Sequence, residues 1–401
     1  MTASPTLLYL DVFGAFDASR SGLVEAFCAA GVSVVVANFA YFPTAQSTDA
    51  AEALVTALEQ SGTRIDGILS INVAGLSAPI VDYARRRSAG HVAWFVDMPH
   101  FFPDLASVDH VRALVACSNY AEHPKLRDAL WVPFAGADPI PLPRQAEAAI
   151  GFLGSLHPIA RHALRSMHGL VGSRSGHVPP GRDFFERMRR PSFLIDETWS
   201  LPDGTPVQPA DYLNFLSSLH RLQNLTYFAD VGLEIQGPAD WIPELWTSAP
   251  HLLRLFSERS VSGRAAMRAY LSRYEVCLNI FHLQNMDGGP NFRSFDAASN
   301  YTPCLSQFNA DCASIFPHGD AALYYRNVDE ARYLARTMIT DRFLRERIVA
   351  GAADVVRAGH TFAHRVKTFC DQIGVTLPLI PAASSFQCLR WDTQQWERQE
   401  A

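Results

Sequence analysis

Short apolar runs with the composition of buried strands recur along this chain, and a helix-like stretch follows most of them. "TLLYLDVF", "VSVVVANF", "GILSINVAG", "HVAWFVDMP", "LVACSNY" and "ALWVPFAG" succeed one another in the first third. Continuous apolar strands alternating with amphipathic helices can bury both sheet faces only as a parallel sheet with helices on each side. "ADPIPLPRQAEA" then interrupts the rhythm with three prolines and no periodicity, which marks a linker. A second series follows: "AIGFLGSL", "GLEIQG", "EVCLNIFH", "TPCLSQF" and "AALYYRN". The chain is therefore expected to be α/β, with two doubly wound, Rossmann-like domains facing a cleft. At 401 residues it is long enough for both cores.

The expected boundaries are 1–145 for an acceptor-side N-terminal domain and 146–375 for a C-terminal domain. A tail over 376–401 is expected to pack back on the first domain. Residues of about 172–230, from "GSRSGHVPPG" to "ADYLNFLSSLHRLQNLTYF", break the α/β rhythm and read as a helical insert on the acceptor side. Its aromatics Phe184, Phe185, Tyr212 and Phe215 either contact an acceptor or anchor the insert to the core.

Charge and cysteine usage remove several classes. A net charge of −6 with scattered basic residues does not suit nucleic-acid binding. No apolar run is long enough for a membrane span, and the start lacks the basic segment and cleavage site of a leader. The seven cysteines are odd in number, have no CxxC spacing and mostly sit among apolar residues, which points to buried thiols in a cytoplasmic protein. No HExxH, DxD or paired-histidine spacing suggests a metal.

The richest chemistry lies in "NMDGGPNFRSFDAASNYTPCL". A glycine turn leads into a helix that carries an arginine and a carboxylate. A helix start offers N–H donors and partial positive charge, and glycine lets a ligand approach the backbone. Helix capping and a surface ion pair are the plainer reading of these residues. The wider order of motifs resembles the C-terminal domain of CgeB-like (spore maturation type) glycosyltransferases of the GT-B superfamily. It runs through Leu278-Asn279, Asp287-Gly288, Asn291, Arg293, Phe295, Asp296, Ile315-Phe316, Gly319 and Asp329-Glu330. "GFLGSLHPIAR", "GLEIQGPADW" and "AGHTFAHRV" fall in the family's order as well. The family's glutamate is Asp296 here, and "DGGPN" carries an extra residue.

That resemblance implies a GT-B glycosyltransferase using a nucleotide-diphosphate sugar as substrate, with no cofactor and no metal. It implies donor binding by Gly14, Ser155, Arg161, Asp287, Gly288, Asn291, Arg293 and Asp296. Asp97 and His100, after the strand "HVAWFV", and His282, after "VCLNIF", are candidates for the chemistry of transfer. A glycan, glycolipid, protein or small molecule would be the acceptor, in glycan biosynthesis, and self-association is left open. A sugar-nucleotide-binding protein of the same fold and a nucleotide-sugar epimerase remain alternatives at this point.

Overall fold

The computed structural model describes residues 4–11, 18–38, 45–99, 106–141, 148–156, 199–200, 206–207, 209–259, 261, 263–285, 288–379, 381, 383–392 and 395–399. They form two compact units. The first comprises Met1–Pro139, Ser262–Met267 and Val356–Ala401, and the second Ile140–Val261 and Arg268–Val355.

In the first unit, strands β1 (Thr6–Asp11), β2 (Ser33–Asn38), β3 (Gly67–Ile71), β4 (Gly90–Phe95), β5 (Arg112–Val115) and β6 (Leu130–Trp131) pair in parallel. Helices α1 (Ala18–Ala29), α2 (Ala45–Gln60) and α3 (Ala78–Arg87) connect the early strands. Nearly every residue of β1, β3 and β4 is buried, as the apolar runs require. The last residues of the chain add two more strands to this sheet. Phe386–Asp392 pairs in parallel with β2, and Gln395–Gln399 folds back on it in antiparallel fashion.

The C-terminal helix Phe362–Ile373 also belongs to this unit, although the expected end of the second domain was residue 375. Backbone proximity explains the assignment. A Cβ on Gly90, the first residue of β4, would lie 1.8 Å from the Ile373 carbonyl oxygen, so only glycine allows helix and strand to meet there. Arg365 of the same helix donates from Nε to the Pro133 carbonyl at 2.6 Å and from Nη2 to that of Phe134 at 3.0 Å.

In the second unit, six strands form a fully parallel sheet: β7 (Ala148–Leu153), β10 (Leu233–Gly237), β11 (Phe256–Glu258), β12 (Tyr274–Asn279), β13 (Cys304–Gln307) and β14 (Leu323–Tyr325). Their spatial order is β11-β10-β7-β12-β13-β14. A short hairpin of β8 (Trp199–Ser200) and β9 (Pro206–Val207) stands apart from the sheet. Phe152, Trp241, Leu278, Tyr325, Leu225 and Phe228 are among the residues that fill the core.

Helix α4 (Pro209–Thr226) revises the reading of the insert. It lies between β7 and β10 in the chain and sends Leu222 and Leu225 into the core. That is the work of a βαβ crossover helix, and its apolar residues obey the helical period for that reason. Of the rest of the expected insert, residues 172–198, 201–205 and 208 lie outside the described residues, as do the side chains of Phe184, Phe185, Tyr212 and Phe215.

Candidate functional site

Carboxyl ends of parallel strands are where an open α/β sheet binds ligands. In the second unit these ends are Leu153–Ser155 after β7, Asn279 at the end of β12 and Gln307 at the end of β13. Helices α5 (Trp241–Ser248) and α6 (Arg264–Ser272) come earlier in this unit's strand series, and the glycine turn after β12 leads into helix α7 (Phe292–Ser299). Gly289 there has φ +87°, a conformation only glycine adopts freely, and its N–H donates to Asp311 Oδ2 at 2.6 Å. Asn309 caps helix Ala310–Ile315 by accepting from the Cys312 N–H, and its own amide donates to the Asn285 carbonyl. The turn is thus tied at Asn285 and at Gly289.

Arg293 sits in the first turn of α7. It pairs with Asp296 at 3.4 Å, reaches the Leu153 carbonyl at 3.4 Å and lies 5.9 Å from the centre of the Tyr270 ring. Burial pulls its pKa down, but Asp296 above all outweighs that and the net shift is upward. A second arginine arrives from α4. Arg221 donates to the Ser155 carbonyl and lies 6.0 Å from the centre of the Phe152 ring. Its Nε has no hydrogen-bond partner, and no carboxylate among the described residues pairs with it. Burial first, and then the charge of Arg293, push its pKa down to about 10. Two guanidiniums therefore converge on one strand end, and Arg221 has no carboxylate partner among the described residues, an arrangement that suits a bound anion.

His282 is engaged at both ring nitrogens. Nδ1 accepts from the Gln284 N–H at 3.3 Å, which leaves Nε2 to donate to Asn214 Oδ1 at 3.1 Å. Beside it, Ser217 Oγ accepts from the Leu283 N–H, and His220 bonds to Gln307. Asn214, Ser217, Arg221 and Asn224 form one stripe of α4 at helical spacing, facing the strand ends. His282 thus links the turn to the helix through both ring nitrogens.

Among the other expected donor residues, Ser155 is exposed and takes part through its carbonyl, while Gly288 is buried in the turn. Asn291 stands at the N-cap position of α7. Gly14, His100, Arg161 and Asp287 lie outside the described residues.

In the first unit, Asp97 follows β4 and accepts from Asn72 Nδ2 at 2.8 Å. Asn72 Oδ1 in turn accepts from the Val96 and Asp97 N–H groups, and Asn72 is held at φ +53°. Asp11, which has no exposed surface, ends β1, the neighbour of the strand β3 that Asn72 follows. The carboxylate closing the apolar run "LLYLD" was the available signal for Asp11; the sequence pointed instead to Gly14 in the following loop. Arg221 was missed because its helix read as an insert.

A glycosyl transferase-like family model matches residues 207–371. No curated protein matches the chain. Among solved structures, the chain is similar to a sucrose-phosphate synthase from Thermosynechococcus elongatus at 11% identity and TM-score 0.57, over 92% of this chain and 99% of that one. A glycosyltransferase from Rickettsia africae matches at 7% identity and TM-score 0.56, over 92% and 98%. Anabaena HepE, solved with UDP and glucose, matches at 10% identity and TM-score 0.54, over 92% and 99%. A glycosyl transferase-like family model thus matches part of a chain that has the GT-B fold of these structures.

Proposed function

We propose that this glycosyltransferase moves a sugar from a nucleoside-diphosphate sugar to an acceptor hydroxyl, and that the donor's diphosphate lies at Arg221, Arg293 and the mouth of α7. The observation that carries this reading is Arg221, an arginine with a buried, unpartnered Nε and no carboxylate partner among the described residues, beside a second guanidinium. A diphosphate supplies the missing charge. In the reaction the acceptor oxygen bonds to the anomeric carbon, the bond from that carbon to the phosphate oxygen breaks, and the nucleoside diphosphate leaves. Negative charge grows on the leaving group, and the two guanidiniums stabilise it there. In this reading Asp296, beside Arg293, accepts ribose hydroxyls.

The first unit takes the acceptor, with Asp97 as the group that receives its proton. The acceptor is a glycan, glycolipid, protein or small molecule. The order of motifs through Asn279, Arg293 and Asp296 supports a CgeB-like member of the superfamily. No helix among the described residues is long and apolar enough to cross a membrane, which suits the proposed cytoplasmic setting. HepE was solved with UDP, so uridine donors head the panel to be tried.

The test is a thermal-shift panel of nucleotide sugars followed by assay of nucleoside-diphosphate release. A ligand at a hundred times its dissociation constant adds about 2.7 kcal/mol of stability. Stabilisation by a subset of donors and slow donor hydrolysis without acceptor are expected. Binding without hydrolysis or transfer would favour a sugar-nucleotide-binding protein, and absence of any shift would overturn the reading.

A further inference from the structure

Asn291 occupies the N-cap position of α7 with extended backbone angles, φ −94° and ψ 169°, yet its side chain makes no capping bond. Asparagine is among the best N-cap residues because its Oδ1 normally accepts from an N–H of the first turn. Here that side chain is held elsewhere. Asn291 Nδ2 donates to Asn279 Oδ1 at 2.7 Å, and Asn279 Nδ2 returns a bond to Asn291 Oδ1 at 3.1 Å. Two amides thus face each other in a reciprocal pair, and Asn291 Oδ1 also lies 3.5 Å from the Ser294 hydroxyl, which donates to it.

Asn279 is built into the sheet for this purpose. It is the last residue of β12, only 2% exposed, and its Nδ2 also lies 3.1 Å from Ser306 Oγ on β13 and 3.3 Å from Ser294 Oγ in α7. An asparagine at a strand end, anchored by a hydroxyl on the next strand, does not rotate away at little cost. Its orientation is decided by the sheet, and the sheet thereby decides where the Asn291 side chain points.

We propose that Asn279 is a positioning residue of the donor site: by engaging Asn291 it keeps the N-cap side chain off the mouth of α7, so that the donor's diphosphate, rather than Asn291, meets the helix N-terminus. This rests on the donor reading above and adds its device. A helix start that is capped by its own side chain gives up a hydrogen-bond donor and sets an oxygen where a phosphate oxygen must come. With Asn279 in place, the helix dipole and the two arginines act on the same ligand. Without it, Asn291 is released to cap its own helix and competes with the donor.

The test is a double-mutant cycle read by calorimetric binding of UDP, with GDP and ADP as alternative probes, on the full chain. Asn279→Ala is expected to weaken nucleoside-diphosphate binding about tenfold, the scale of one capping interaction. Asn279→Ala combined with Asn291→Ala is expected to bind more tightly than Asn279→Ala alone, because the competing side chain is gone. A residue that merely supported the fold would show no such rescue. Asn279→Ser, which keeps a hydroxyl for Ser294 and Ser306, is measured in parallel in case alanine fails to fold. Wild-type binding of a nucleoside diphosphate with unchanged affinity in Asn279→Ala and Asn279→Ser, or with no gain in the double variant, would overturn the proposal while leaving the donor site standing. If the wild-type protein binds none of the three probes, the donor reading and this inference fall together.

Discussion

Arg221 and Arg293 end at the same strand, one bonded to the carbonyl of Ser155 and the other to that of Leu153, and the charge of Arg293 lowers the pKa of Arg221. The two arise from different helices, so the tertiary fold alone brings the like charges together. Such a pair costs stability until an anion joins it.

Replacing Arg221 by methionine should therefore separate stability from binding. Removal of an uncompensated charge is expected to raise the unfolding midpoint of the ligand-free protein, by the equivalent of about 1 kcal/mol. Nucleoside-diphosphate affinity should fall by about 1.5–3 kcal/mol, the value of a hydrogen bond to a charged group. Calorimetry and thermal melts on one preparation check both. A less stable protein with unchanged affinity would mean that Arg221 serves packing only.

Asp97 is oriented by Asn72 at 2.8 Å, so its carboxylate has a defined direction before any substrate arrives. If it receives the acceptor's proton, Asp97→Asn should lower kcat by on the order of 10²-fold and leave the donor's dissociation constant unchanged. Initial rates against donor and acceptor concentration make the distinction. A loss of only a few-fold would assign Asp97 to the turn.

Acid should destabilise the first unit through its histidines. His91 is buried, bonds to Ser70 at 2.7 Å and has its pKa lowered to about 3 by burial. His360 is lowered to about 4, by burial first and then by Arg365. Both must be neutral in the folded protein, whereas the unfolded chain binds protons from about pH 6.5 downward. The unfolded state therefore gains protons first, and stability is lost as pH falls from about 6.5 toward the folded values. Between pH 6.5 and 5 the His91 contribution is about 2 kcal/mol at 1.36 kcal/mol per unit. Urea midpoints across that range should fall, and His91→Gln should flatten the slope.

Arg365 should not tolerate lysine. Its guanidinium serves the Pro133, Phe134 and Gly359 carbonyls and His360 Nδ1 at once, the last at 2.8 Å. A lysine ammonium cannot reach that planar set from one stem. Arg365→Lys should cost about 3 kcal/mol, given the value of hydrogen bonds to charged groups and the acceptors left buried. Denaturant melts check this; a midpoint within experimental error of wild type would remove Arg365 from the account.

Much of the protein was legible in the residue order. The apolar runs that became β1, β3, β4, β7 and β12 declare themselves because a strand buried on both faces must be apolar throughout, whatever surrounds it. The glycine turn and the arginine of α7 declare themselves because the nine residues from Gly288 to Asp296 carry backbone freedom, charge and a helix start together. Local composition suffices when the chemistry is local. It misled where a helix face had to be paired with a distant partner. The polar stripe of α4 looked like an insert, since nothing in its own sequence reveals that Leu222 and Leu225 meet the sheet, or that Arg221 ends beside Arg293, seventy-two residues on. Asn279 and Asn291 present the same limit on a smaller scale. Twelve residues separate them, each is an ordinary polar residue by itself, and only the sheet, by holding one against the other at 2.7 Å, decides that the N-cap side chain turns away from its own helix.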